Sequence, residues 1–248
     1  MNLIPSFSVA MDIYDVLYLS YLIPESKVQP YITGPLTPAT FRNEMVFLSI
    51  VCFHSKDVRV AGFPFIKFSY DQINIRTYVR DPNSGKNGVL FLNSGITSPV
   101  MALSTNILGF PWENIPFQLM AVKDGNNRYM EYRATGTWRG NIDISVKEDA
   151  SSPACNDLPP DLKNTIQHIT APGIGFYNTR GWVLRFEVKH TEIKPHTGNI
   201  LHIDFPFLTS SGLLTQHEMS KPDNILIADK GTFTIFLPPQ RIRTEKYI

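Results

Sequence analysis

Phe68-Ser69-Tyr70-Asp71-Gln72-Ile73-Asn74-Ile75-Arg76-Thr77-Tyr78-Val79-Arg80 is the stretch on which the fold turns. Side chains on a strand switch faces at each residue. Ile73, Ile75 and Val79 therefore share one face, and Gln72, Asn74, Arg76 and Tyr78 share the other. Asn and Gln are weak strand formers, so a row of hydrogen-bonding side chains here needs a reason. Two readings fit. One is an antiparallel strand with one face in water. The other is a barrel strand whose polar face lines an enclosed pocket. Periodicity alone does not separate them.

The neighbouring segments extend the β pattern. Glu44 to Phe53 is apolar on both faces, as in a strand covered on both sides. Asp12 to Ile23 reads as a buried strand, although a helix fits nearly as well. Pro24 is placed to open a short helix, and His54 to Asp57 reads as a polar turn. Beyond the central strand, Asp81 to Gly88 is dense in turn formers, and Val89 to Leu92 is the antiparallel return. Thr97 or Ser98 then caps a helix with Pro99 in its first turn and Gly109 past its end. The helical spacing of Val100, Leu103 and Ile107 marks them as its buried stripe.

Asp124-Gly125-Asn126-Asn127 joins Ile115–Lys123 to Arg128–Thr135 in a hairpin. Asn141 to Val146 alternates as a strand. Lys147 to Pro160 is a long polar loop, and Asp161 to His168 a short helix. Trp182–Thr191 and Ile200–Phe205 read as a hairpin around His196-Thr197-Gly198. Ile225–Ala228 and Thr232–Leu237 read as another around Asp229-Lys230-Gly231. Pro238 onward, with the charged Arg241 to Lys246, reads as an exposed tail.

Composition bounds the function. The 248 residues suffice for one large β domain spanning 1–248, with a full core. The formal net charge of +1 gives no electrostatic footprint for nucleic acid. Cys52 reads as a buried thiol, and two cysteines, Cys52 and Cys155, are too few for a disulfide framework or a cysteine zinc cluster. No Lys or Arg precedes Lys27, and the apolar run Ile13 to Ile23 is too short to span a bilayer, so no membrane partner is expected and cytoplasmic placement is the default. His190, His196 and His202 are evenly spaced, but His196 falls in a turn and no acidic residue completes a site, so no metal and no cofactor is expected. Glu131, Glu187 and Glu192 lie on strands and read as surface charges. Many strands with few helices give a closed or nearly closed antiparallel barrel, or a sandwich.

Asn74-Ile75-Arg76-Thr77-Tyr78-Val79, a Gly turn, Gly88-Val89-Leu90-Phe91-Leu92, a helix and Gly109-Phe110-Pro111-Trp112 follow in an order that resembles the uncharacterised YqjF-like branch of the acetoacetate decarboxylase-like superfamily. The resemblance is close over Asp15 to Val146 and looser beyond. It implies a mainly β protein, a large antiparallel β-barrel with a few short covering helices and a polar central pocket. It thereby favours the pocket reading of the Gln72 to Tyr78 row. Two departures matter. Sequences of this branch typically carry Glu where this chain has Gln72, and a carboxamide neither accepts a proton nor pairs with Arg76 as a carboxylate does. The decarboxylases carry a Schiff-base lysine before a helix, whereas Ser94-Gly95-Ile96-Thr97-Ser98-Pro99-Val100 contains none. Lys67 and Lys86 lie at strand ends or turns.

The expected site is thus a pocket for a small carbonyl or carboxylate compound. Arg76 would clamp the anion, Tyr78 donate, and Gln72 and Asn74 orient the ligand. Ser98, at a helix start, is an anion contact or a plain N-cap. Catalytic residues are not identifiable; any enzyme here would be lyase-like on a small keto or carboxylic acid, without Schiff-base chemistry. The alternative is a non-catalytic structural or interaction barrel. A homo-oligomer is left open.

Overall fold

The computed structural model describes residues 7–41, 43–151 and 160–244. Strands β1 (Phe7–Pro24), β2 (Thr37–Pro38), β3 (Met45–Val60), β4 (Phe63–Arg80) and β5 (Asn87–Ile96) lead into helix α2 (Pro99–Ile107), with a short α1 (Glu25–Val28) after β1. Then come β6 (Trp112–Asn114), β7 (Phe117–Lys123), β8 (Tyr129–Thr137), β9 (Asn141–Glu148) and α3 (Pro160–Thr170). The chain continues with β10 (Ile174–Thr179), β11 (Trp182–His190), β12 (His196–Asp204), α4 (Pro206–Ser210), α5 (Gln216–Met219), β13 (Asn224–Leu237) and β14 (Gln240–Arg243). No helix among the described residues is long and apolar enough to cross a membrane.

Seven strands close a ring in the order β11-β10-β5-β4-β3-β1-β13, with β13 returning to β11 through Val188–Ile235 and His190–Phe233. From β13 the sheet runs on through β12, β9, β8 and β7 and packs against the ring's outside. The ring is antiparallel except where β10 lies parallel to β5. A parallel pair needs a long crossover, and everything from α2 to α3 provides it.

The alternation of β4 divides two cores. Ile73, Ile75 and Val79 join Leu48, Ile50, Tyr132 and Ile144 in the outer layer. The opposite face belongs to the inside of the ring, with Tyr18, Phe47, Val51, Tyr70 and Tyr78, onto which α3 presents Ile166 and Ile169. The apolar face of β4 is thus packed under a covering layer, and the polar face is not a wet exterior. Cys52 is fully buried in the outer layer, and burial pushes its thiol pKa up; Cys155 lies outside the described residues.

Several elements depart from the sequence reading. Strand β3 does not turn at His54–Asp57; it runs to Val60 through a bulge, with Asp57 at φ 51° and the register shifting between Ser55 and Val58. β11 and β12 are not hairpin partners, because β11 is taken by β10, β13 and β14 while β12 pairs with β9 and β13. β10 forms in a segment whose sequence pattern marks no strand. Asp229-Lys230-Gly231 is no turn: β13 passes through it, and Lys123 and Asn127 bond Asp229 at 2.9 and 3.1 Å. The segment after Pro239 is not a free tail, since β14 pairs with Trp182–Arg185 of β11. The polar loop after β9 falls largely outside the described residues.

Helix α2 starts and stops as expected. Ser98 accepts from the Met101 N–H, Pro99 sits in the first turn, and Gly109 has φ 92°. Its buried side is not the expected one. Val100, Leu103 and Ile107 are 58%, 66% and 79% exposed, and the buried residues are Ala102 and Thr105. Small side chains let the helix lie close to the ring, and the spacing of larger ones does not reveal which side does so.

The outer layer makes a specific demand at Gly136 on β8. A Cβ there would stand 2.3 Å from the Pro116 carbonyl oxygen and 2.9 Å from Phe117 Cα, both backbone atoms that cannot swing aside. Gly136→Ala is expected to destabilise the protein by about 1–3 kcal/mol in urea unfolding. Gly125→Ala, at a turn with nothing within 4 Å, should stay within about 0.5 kcal/mol. Equal losses in the two variants would refute this packing.

Candidate functional site

All seven ring strands contribute to a cavity of about 260 Å³ inside the ring, near the lower end of the roughly 300–1,000 Å³ usual for small-molecule sites. β4 supplies Tyr70, Gln72, Asn74 and Arg76 as one row along the wall. Most of the remaining lining is apolar, including Phe53, Phe91, Phe110, Phe186, Ile235 and Leu237. Exposed Ser104 of α2 and exposed Leu108 just past the helix also line it and mark an opening to solvent.

Arg76 is the charged member of the row and is 7% exposed. One terminal nitrogen donates to the Ile169 carbonyl at 2.7 Å. Ile169 lies in the last turn of α3, where carbonyls lack helical partners and the helix dipole is negative. The same nitrogen lies 3.4 Å from the Tyr78 hydroxyl, and the guanidinium carbon stands 5.5 Å from the Tyr18 ring centroid and 5.7 Å from that of Tyr78. Its Nε is buried without a hydrogen-bond partner. Among the described residues no carboxylate forms an ion pair with it.

The other buried arginine is treated differently. Arg185 donates to Asp81 at 3.0 Å, and Asp81 also accepts from the Asn83 N–H and the Ser84 hydroxyl. Burial pushes the Asp81 carboxyl up, but these hydrogen bonds outweigh it and hold it below the usual range. Removing a guanidinium from water is costly unless a partner compensates, and Arg185 has a full counter-charge where Arg76 has helix carbonyls.

The polar row is partly satisfied within itself. Gln72 Nε2 donates to Asn74 Oδ1 at 2.9 Å. Tyr70, 5% exposed, has a hydroxyl without a partner at hydrogen-bond geometry, as has Ser55 Oγ nearby. Burial raises the Tyr70 phenol, with Ser55 opposing weakly. Tyr18 and Tyr177 are also raised by burial, against the opposing charge of Arg76 for Tyr18 and hydrogen bonds from Ser94 and Trp112 for Tyr177. The ionisable groups named here on the wall therefore keep their protons and act as donors.

Tyr78 is not among the residues lining this cavity. Its hydroxyl donates to the Ile169 carbonyl at 3.0 Å and lies 3.0 Å from Ser49 Oγ, itself 2.7 Å from Ser20 Oγ. It props Arg76 and α3 rather than facing the cavity. Ser98 is occupied as the α2 N-cap and does not line the cavity either. Tyr70 continues the same alternation two residues upstream, so the period-2 pattern was enough to include it. The α3 carbonyl was not findable, because any residue type supplies one.

Beside this network lies His168 of α3, its ring 4.7 Å from that of Tyr78 and its Nε2 buried without a partner. Burial, and then the charge of Arg76, hold its pKa below the ordinary 6.5. Among the described residues no group of three or more His, Cys, Asp or Glu is placed to hold a metal ion.

The fold is shared with solved enzymes of low sequence identity. An acetoacetate decarboxylase-like enzyme from Sphingomonas wittichii RW1 superposes with a TM-score of 0.60 at 9% identity, covering 96% of this chain and 94% of that one. The enduracididine biosynthesis enzyme MppR complexed with pyruvate gives 0.57 at 11% identity, over 96% and 90%. Acetoacetate decarboxylase from Legionella pneumophila gives 0.56 at 12% identity, over 97% and 88%. At these identities the likeness is one of fold. No curated protein matches the sequence. Residues 10–231 match the family DUF2071, described as an uncharacterized conserved protein, and the chain belongs to that family.

Proposed function

We propose that this protein binds a small carbonyl or carboxylate compound in the ring cavity, with Arg76 as the anion contact and Gln72, Asn74 and Tyr70 as neighbouring hydrogen-bonding groups. The observation that carries the reading is the state of Arg76. It is a buried guanidinium at a cavity wall, held by a carbonyl and with an Nε lacking a partner. A ligand carboxylate would add charge-assisted bonds there. Protonated donors also suit a carbonyl oxygen or an enolate, because they stabilise negative charge developing on oxygen. They do not supply a base, so recognition is better supported than turnover. The pyruvate-bound relative has the same fold and makes small oxo acids the natural probes.

Lysine imine chemistry is not part of the proposal. Lys67 lies 3.3 Å from Asp57 on the outside, and Lys86 is exposed in the turn after β4. Borohydride treatment with pyruvate should leave the protein mass unchanged. A lysine adduct mapped to the cavity would count against this part of the reading.

A second reading rests on the bonds already made. Arg76 and Tyr78 both reach Ile169, and Gln72 reaches Asn74, so the row also serves as a staple between β4 and α3 in a non-catalytic barrel. Arg76→Met separates the two. If the guanidinium is there for a ligand, losing a poorly compensated buried charge should change stability by less than about 1 kcal/mol, since Tyr78 still serves Ile169. Binding of pyruvate or a related acid, measured by calorimetry, should weaken by about 2–3 kcal/mol. A staple would give the opposite result, a loss in urea unfolding on the order of 3 kcal/mol with no acid bound by the wild type.

His168 reports on the same charge. With its folded pKa below 6.5, the unfolded chain takes up the proton first. The His168 contribution to stability is therefore complete above the ordinary histidine range and is lost as pH falls through it. NMR titration should place His168 below 6.5, and Arg76→Met should raise it. An unchanged His168 pKa in that variant would show that the guanidinium does not act on the ring.

A further inference from the structure

We infer that the compound held in this cavity is an amphiphilic monocarboxylate, with one anionic head at Arg76 and an apolar tail of several carbons or an aryl ring. This rests on the reading of Arg76 as an anion contact and goes beyond it, because the free polar groups of the cavity lie in the β4 row and at Tyr18 beside Arg76. Tyr70, Asn74 and Arg76 share a face of β4, and of these the Tyr70 hydroxyl and the Arg76 Nε are unspent.

Apart from Tyr18, whose ring lies 5.5 Å from the Arg76 guanidinium at the head end, the hydroxyls elsewhere on the wall are occupied. Ser104 Oγ donates to the Val100 carbonyl at 2.8 Å. Thr105 Oγ1 donates to the Met101 carbonyl at 2.8 Å. The Tyr177 hydroxyl accepts from Trp112 Nε1 at 2.7 Å and lies 2.8 Å from Ser94 Oγ. What those walls offer a ligand is carbon.

The aromatic wall starts beside Arg76, whose register partner on β5 is Phe91, and runs away from β4 through β10 to β11. Phe91 stacks on Tyr177 at 4.7 Å, and Phe110 meets Tyr177 and Phe186 edge-on at 5.3 and 5.4 Å. A three-carbon acid bound at Arg76 would leave the rings beyond Phe91, those of Phe110 and Phe186, facing water or empty space. A longer tail covers them and removes apolar surface from water. The rim is also apolar: Leu108 is 36% exposed, and Val9, Phe233 and Ile235 are half-buried. A second carboxylate or an ammonium on the tail would have to shed its water with no partner in return.

The test is calorimetric titration with the straight-chain 2-oxo acids from pyruvate to 2-oxooctanoate, with octanedioate, octanoate and 1-octanol alongside. Each added methylene should tighten binding about fourfold until the cavity is filled, after which affinity should level off. Octanedioate should bind at least tenfold more weakly than octanoate. Arg76→Met should cost 2-oxooctanoate at least tenfold and leave 1-octanol unchanged, which places head and tail separately. If pyruvate binds as tightly as 2-oxooctanoate, the tail inference is wrong while the anion site stands. If no acid binds, both fall. If 1-octanol loses affinity with the acids in Arg76→Met, the head is not held by the charge.

Discussion

The bond from the Arg76 guanidinium to the Ile169 carbonyl joins the central strand to the helix that packs on the ring's interior. It sets what the cavity is. Carbonyls at a helix end carry about half an elementary charge, so they offset the guanidinium only in part. The Tyr18 and Tyr78 rings add a further, smaller attraction. A carboxylate in the same place, as Asp81 is for Arg185, would have made a closed pair and a filled interior. The partial partner holds the arginine in one position and leaves part of its charge uncompensated. On the proposed function, structure and recognition draw on the same group, which is why measuring folding alone, or binding alone, would not separate them.

The part of this arrangement written in the sequence is the local part. Alternation from Tyr70 to Val79 fixes which side chains share a face, and the ring respects it residue by residue. The caps of α2 are equally local: Ser98, Pro99 and Gly109 each act on neighbours in the chain. The misread features all depend on distant partners. The stripe of Val100, Leu103 and Ile107 has true helical spacing, yet Ala102 and Thr105 face the ring because only a small side fits there. Asp229-Lys230-Gly231 has the composition of a turn. It stays extended along β1, with Lys123 bridging Asp229 and Asp15, and with Gly231 leaving room for Ile193 and Phe233. Asp15 itself, which interrupts an apolar run, sits at a bulge with φ 49° and accepts from Tyr129 at 2.8 Å. Turn composition and helical period are weak evidence when a sheet partner competes for the same backbone.

The site was legible to the same extent. Gln72, Asn74 and Arg76 were identifiable because they lie on one strand and one face. The occupation of Tyr78 by α3 was not, because its acceptor is a backbone carbonyl more than ninety residues away. Nor does composition show that the hydroxyls of Ser104, Thr105 and Tyr177 are used up by their neighbours, and that is what makes the far walls apolar.

Gln72 completes the electrostatic argument. A carboxylate at this position would stand four residues along the strand from the arginine. Strand rise puts the two about 13 Å apart, and at an effective dielectric constant of about 20 a carboxylate there would attract Arg76 by on the order of 1 kcal/mol. It would also repel an incoming anion by a similar amount. The carboxamide removes both effects. It donates to Asn74 instead, so the polar row is organised without a negative charge. The apolar walls around it lower the local dielectric constant, which strengthens each remaining charge-assisted bond at the cavity. A neutral Gln72, a carbonyl-held Arg76 and phenols that keep their protons thus all act in one direction. On the proposed function they favour negative charge on oxygen inside the ring, where no side chain of the β4 row supplies that charge itself.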